Sequence, residues 1–409
     1  MMSCQRLSPA SGRRNREGGI FRLVRHEYSC LAGEKNNKEA VMIPETMRAF
    51  VLHGHGGLDQ LHYHEDWPTP RPGPGEVLIR VGACGLNNTD INTRSGWYSY
   101  TVTDGITVEG GASGFTDIKP EQGSWGGQSI RFPRIQGADA AGEIVAVGTG
   151  VDEARMGERV ITDGWILPAG DWFDARKVSY FGSECDGGYA EYATIPSINA
   201  IRVQSALTDA ELANFPCSLS TAENLIARTG LRPGEVVAIA GASGGVGSYA
   251  IQLCRLRGAR VIAIANPAKT DALLDLGASA VVDRNSPDLE GEIRAAAAGP
   301  LQVALDVVGA GQTPALLKAL AHGGRYSSSG AIAGPMIDFD LRWLIYKDLQ
   351  MTGSTLVPPG TMDRMARLID EGKLRPMLAK TFPLAGLREA QTAFMSKQHT
   401  GNIVVTCKD

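Results

Sequence analysis

The stretch Ala242-Ser-Gly-Gly-Val-Gly247 constrains this chain more than any other. It follows Val236-Val-Ala-Ile-Ala240, an unbroken apolar run of the kind buried on both faces of a parallel sheet. A helical stretch through 249–257 comes next, and then a second apolar run, Arg260-Val-Ile-Ala-Ile-Ala265. Strand, small-residue turn, helix and strand in that order predict a βαβ unit. At Ala242, Ser243, Gly244, Gly245, Val246 and Gly247 the small side chains let backbone amides and a helix N-terminus approach a pyrophosphate.

Further strand candidates at 280–282, 303–308, 324–327 and 349–355 alternate with helix candidates such as 268–276 and 314–320. That rhythm predicts an α/β Rossmann domain with a doubly wound parallel sheet over 206–357. Folds of this kind that bind NAD usually place an acid about 20 residues beyond the glycine loop, against the ribose 2′-hydroxyl. Here Ala265 and Asn266 end the second strand, Lys269 follows, and Arg284 stands just after the third. An acid repels a 2′-phosphate and a lysine attracts it. Asn266, Lys269 and Arg284 therefore predict NADPH.

The preceding half reads differently. Short strands at 47–52, 76–81, 143–148 and 159–162, separated by glycine-rich turns, predict a barrel-like β-rich unit. The stretch 99–130 is too long and too weakly patterned for a connector and is expected to be an insertion loop. The tail, 362–409, carries a helix pair and a final strand at 402–406. Residues 1–46 lack both sustained periodicity and the apolar core of a secretory signal, and are expected to be a disordered extension or an upstream start. A net charge of −4 offers no basic excess for nucleic acid. No apolar run approaches the ~20 residues that span a bilayer. The seven cysteines are scattered without any CxxC spacing, which predicts free thiols, a reducing compartment and a cytoplasmic location.

From Met47 onward the chain resembles the medium-chain dehydrogenase/reductase superfamily. The resemblance is carried by Pro72-Gly-Pro-Gly-Glu-Val77, Gly85-Leu-Asn-Asn-Thr-Asp90, Gly137-Ala-Asp-Ala-Ala-Gly142, Gly187-Gly-Tyr-Ala-Glu-Tyr192, the 242–247 loop and Gly401-Asn-Ile-Val-Val405. It implies a GroES-like catalytic domain built from 47–205 and 358–409, with the active site in the cleft facing the Rossmann domain. Zinc enzymes of the superfamily carry a ligand cysteine where Asn87 stands and a histidine where Ala138 stands. Asn and Ala do not replace thiolate and imidazole at a tetrahedral site, although Asp139 keeps an acidic position. No metal is therefore expected, and the chain is similar to the zinc-independent quinone oxidoreductase branch.

That likeness implies hydride transfer from NADPH to a quinone or an α,β-unsaturated carbonyl compound. Without a Lewis acid, the charge developing on the substrate oxygen needs a hydrogen-bond donor. By resemblance to enoyl-thioester reductases the donor is Tyr98, with Asn87 orienting substrate or nicotinamide ribose. The branch often has a further tyrosine where Asn92 stands here. Thr221 and Lys397 match positions that contact the nicotinamide and the cofactor phosphate. The alternatives are an alcohol dehydrogenase or aldehyde reductase, an enoyl-thioester reductase, and a non-catalytic NADPH-binding protein. His53, His55, His62 and His64 read as an exposed strand face, and Asp90 with Arg94 as an ion pair or helix contacts. The edge strand near 349–355 predicts a homodimer or homotetramer. The insertion is expected either to act as a lid, with Phe115 or Trp125 closing an apolar pocket, or to be a surface excursion or a subunit contact.

Overall fold

Val236–Ala240 is buried at all five positions, because it lies in the middle of a sheet covered on both faces. In this computed structural model, which describes residues 42–168 and 173–408, that sheet has six strands. Their order is Ala280–Asp283, Arg260–Ala265, Val236–Ala240, Val303–Asp306, Arg325–Ser328 and Gln350–Gly353, and every pairing is parallel. The chain runs outward from Val236–Ala240 in one direction and then in the other. A crevice therefore opens where the order reverses, at the carboxyl ends of Val236–Ala240 and Val303–Asp306.

The N-terminal half forms antiparallel sheets around Glu76–Gly85, a ten-residue strand whose interior is almost wholly buried. It pairs with Asp139–Val147 and Tyr192–Pro196, and also with Asn402–Thr406 from the tail. The chain thus leaves this sheet system, builds the parallel sheet, and returns to complete the first. Residues Ile43–Asp409 form one compact unit. The expected extension at 1–46 falls almost entirely outside the described residues.

Several boundaries moved for identifiable reasons. The helix after the glycine loop is Gly245–Leu256, so the last loop residues are already its first turn. The strand expected over 303–308 stops at Asp306, whose carboxylate accepts the N–H groups of Val308 and Gly309 at 2.7 and 3.1 Å and turns the chain. Leu378–Pro383, parallel to the last strand, escaped the sequence reading because its residues are mostly exposed and show no clean alternation. Over 99–130 the chain forms a short helix, Val108–Ser113, and a 3-10 turn, Pro120–Gln122.

Asp90 and Arg94 do not pair. Asp90 accepts the Asn87 N–H at 2.8 Å and the Tyr189 hydroxyl at 2.9 Å. Arg94 is fully buried and donates to Gln391 Oε1, the Gly56 carbonyl and the Gly111 carbonyl at 2.9, 2.8 and 2.6 Å. Of the four histidines, His53 and His62 are exposed and stack at 4.5 Å between ring centres. His55 instead turns inward, its Nδ1 lying 2.7 Å from the Thr93 carbonyl.

Candidate active site

The crevice opens into a cavity of about 820 Å³ lined from both halves of the molecule. It brings together Asn87, Tyr98, Thr221, Ser243, Gly244, Gly245, Val246, Gly247, Lys269, Arg284 and Lys397. Two expected residues do not line it. Ala242 is fully buried behind the loop. Asn266 turns its side chain back to accept the Ala268 N–H at 3.0 Å, capping a 3-10 turn.

One end is built to receive an anion. Gly244 is the N-cap of Gly245–Leu256, and no side chain caps that terminus, so its first amides are left for a ligand. Ser243 is tied to the tail by the Gly401 N–H at 2.9 Å. Gly245 is packed so closely that a Cβ there would lie 2.1 Å from Asn402 Oδ1 and 2.3 Å from Ser218 Oγ. Beside the loop, Lys269 donates to the carbonyl of Lys397 at 3.1 Å and to that of His399. Lys397 adopts a left-handed backbone (φ 54°), donates to Asn88 Oδ1 at 2.8 Å and lies over the Phe394 ring. Burial and the neighbouring Lys269 push Lys397 down to about 7. Burial, with Lys397 and Lys269, lowers His399 to about 4. Among the described residues no carboxylate pairs with Lys269, Lys397 or Arg284. Converging cations without a counter-charge, next to free helix amides, fit the phosphates of a dinucleotide.

The other end is aromatic. The Tyr98 hydroxyl donates to Thr89 Oγ1 at 3.0 Å, and burial raises it to about 12, so it stays a neutral donor at working pH. Trp125, Trp165 and Tyr180 stack edge-on nearby. Phe115 does not reach the cavity, whereas Trp125 does. Asn87 begins the segment beside them, and Ser218 Oγ lies 3.5 Å from its Oδ1. From there a buried polar chain runs through Asn402 and Asn214 to the Tyr249 hydroxyl. Sequence reasoning missed this chain, since its members lie far apart along the sequence and show no shared motif.

Cys217 was also missed. Cys217 lines the cavity, its N–H donates to Asp139 Oδ1 at 2.9 Å, and burial pushes its thiol well above the ordinary range, so it remains a neutral thiol. Burial likewise raises Asp139 to about 8, against the lowering influence of the Asn87 amide. Neither Asn87 Nδ2 nor Asp139 Oδ2 has a hydrogen-bond partner. With an amide at 87 and a methyl at 138, the donors do not fit a tetrahedral zinc. Among the described residues no three of His, Cys, Asp and Glu gather around a common point.

A parallel sheet with a glycine loop at its switch point, facing a β-rich partner across a cleft, defines an oxidoreductase that uses a nicotinamide cofactor. The comparisons agree. The alcohol dehydrogenase GroES-like domain matches residues 102–205, and the zinc-binding dehydrogenase family matches 245–371. A solved structure from Sinorhizobium meliloti, named provisionally as an alcohol dehydrogenase, is 45% identical with a TM-score of 0.81, covering 89% of this chain and 97% of its own. An acryloyl-coenzyme A reductase of Metallosphaera sedula is 26% identical over 88% of this chain and 100% of that protein. An alcohol dehydrogenase of an Aspergillus species is 32% identical over 63% of this chain and 69% of its own. The chain belongs to the medium-chain dehydrogenase/reductase superfamily.

Proposed function

We propose that this protein is an NADPH-dependent reductase of conjugated carbonyl compounds, quinones or enones, that works without a metal. The observation that carries this reading is one cavity with unpaired Lys269, Lys397 and Arg284 at one end and a neutral tyrosine donor at the other. NADPH supplies the hydride. Asn266 is left out of the binding set, because its side chain is used in the 3-10 cap. Ser243 to Gly247 provide the amides for the pyrophosphate, while Lys269, Arg284 and Lys397 meet the 2′-phosphate.

As hydride reaches the β-carbon of the substrate, negative charge develops on its oxygen. Tyr98 donates a hydrogen bond there, exchanging its Thr89 partner for the substrate, and Asn87 orients the acceptor. Solvent then delivers the proton that completes the reduction. A second reading, reduction of an enoyl thioester, is favoured by the likeness to the Metallosphaera sedula enzyme. A cytoplasmic location fits the five described cysteines, all of them free. The described helices include none long and apolar enough to cross a membrane.

The test is NADPH oxidation, followed at 340 nm, against quinones, enones, aldehydes and enoyl thioesters, with metal content measured on the same sample. Turnover of quinones or enones by metal-free protein is expected. Preference for thioesters would select the second reading, and one tightly held zinc per chain would overturn the metal-free mechanism. Inertness across the panel would leave a non-catalytic NADPH-binding protein.

A further inference from the structure

The segment 99–130 is fastened on both sides of the cleft. On the catalytic side Arg94 donates to the Gly111 carbonyl at 2.6 Å, and Trp97 Nε1 donates to the Asp104 carbonyl at 2.9 Å. On the nucleotide-binding side the Ile106 N–H donates to the Ile332 carbonyl at 2.9 Å. Gly105 lies so tightly on Ala333 that a Cβ there would come within 2.6 Å of its carbonyl carbon. The segment is therefore a strap across the cleft, tied to both sides.

Its far end presents Trp125. A turn closes Ser124 to Gln128 and Gly127 to Ser124, each at 2.9 Å, with Ser124 buried beneath it. Trp125 meets Trp165 at 4.9 Å and 79°, and Trp165 meets Tyr180 at 4.7 Å and 61°. The supports of these rings are themselves pinned. The Trp165 carbonyl accepts from Asn199 at 2.9 Å, and the Tyr180 N–H donates to Glu184 at 3.0 Å. Trp125 Nε1 is buried with no acceptor, so the ring is held by its neighbours and not by a hydrogen bond of its own.

We propose that Trp125, with Trp165 and Tyr180, sets substrate specificity by forming an aromatic wall of the cavity that takes flat, ring-conjugated carbonyl compounds in preference to acyclic ones. The inference rests on the conjugated-carbonyl reading above and names which members of that class are used best. Aromatic rings hold a planar π-system by edge and face contacts, and an acyclic chain forfeits most of these.

The test compares wild type, Trp125→Phe and Trp125→Ala with 1,4-naphthoquinone and with methyl vinyl ketone. In Trp125→Ala, kcat/KM for the naphthoquinone should fall about tenfold, while that for the acyclic ketone changes less than about twofold. Trp125→Phe should recover most of the loss. Independently, naphthoquinone titrated into protein loaded with NADP⁺, where no turnover occurs, should quench tryptophan fluorescence, with Kd about tenfold weaker in Trp125→Ala. NADPH affinity should stay within twofold, which also reports that the variant is folded. Equal losses for both substrates, or an unchanged naphthoquinone Kd, would overturn the role of the aromatic wall. Failure of wild type to reduce any conjugated carbonyl compound would instead sink the functional reading on which it rests.

Discussion

Lys397 offers the sharpest test of the cofactor assignment, because its position predicts both a magnitude and a pH dependence. Its ammonium is buried, lies 3.8 Å from the centre of the Phe394 ring, and has Asn88 Oδ1 as its hydrogen-bond partner at 2.8 Å. Burial and Lys269 bring it down to about 7, so the free protein carries it half charged near neutrality. A bound phosphate supplies the missing counter-charge and raises that pKa, so binding takes up a proton above pH 7. The sign follows. Affinity for NADPH is fully expressed below about 7 and should weaken by roughly tenfold per pH unit above it, until the lysine in the complex also titrates. A phosphate monoester loses part of its charge below about 6, which sets the lower edge of the window. Lys397→Met should flatten the upper limb. It should also remove a charge-assisted contact of about 1.5–3 kcal/mol, or about 10–150-fold in Kd at pH 6.5. The assay is titration with NADPH and with NADH, read by nucleotide fluorescence between pH 6 and 9. If Lys397 reads the 2′-phosphate, NADH binding stays flat with pH and changes little in the variant. Equal weakening of both nucleotides, or a wild-type NADPH profile flat through pH 8, would refute the reasoning.

Three further outcomes are expected. Tyr98→Phe should lower kcat by about 100-fold or more, as loss of a donor to a developing oxyanion does, with the Kd for NADPH within twofold; unaltered turnover would move the donor elsewhere. Arg94→Met leaves Gln391 Oε1 and the carbonyls of Gly56 and Gly111 without their donor, so the urea midpoint should drop by the equivalent of about 3 kcal/mol. A loss below about 1 kcal/mol would mean that water replaces the guanidinium. We also propose a homodimer, formed along the edge strand Gln350–Gly353, where Met351 and the nearby Leu341, Ile345 and Tyr346 are exposed. Light scattering at micromolar concentration should give twice the chain mass, and Ile345→Lys with Tyr346→Asp should give the monomer; a monomeric wild type would end the idea.

The parallel sheet was legible because burial on both faces forces continuous apolar runs such as Val236–Ala240 and Arg260–Ala265, and periodicity detects those directly. The small-residue loop was legible for a related reason, since close backbone approach excludes side chains. Gly245 shows this, with no room for even a methyl group. The cation cluster was only partly legible. Lys269 and Arg284 follow from their distance beyond the loop, but Lys397 reached the list through resemblance alone, 128 residues from the Lys269 whose ammonium binds its carbonyl.

Local chemistry misled at two places. The four-residue spacing of Asp90 and Arg94 suggested an ion pair or helix contacts; Asp90 makes such a contact by accepting the Asn87 N–H at the helix start, whereas Arg94 bonds to distant segments instead of to Asp90. Asn266 stood where a ribose contact was expected, and its amide was taken by the turn it caps. The sequence by itself determined the two sheet types, the loop and the absence of thiolate and imidazole at positions 87 and 138, because each depends on residue type or local spacing. Only the tertiary structure decided that Trp125 meets Trp165 and Tyr180, that Cys217 faces the cavity, and that 99–130 is tied to the loop at 332–333. Those contacts depend on how two sheets meet across a cleft, and no periodicity within either sheet encodes that meeting.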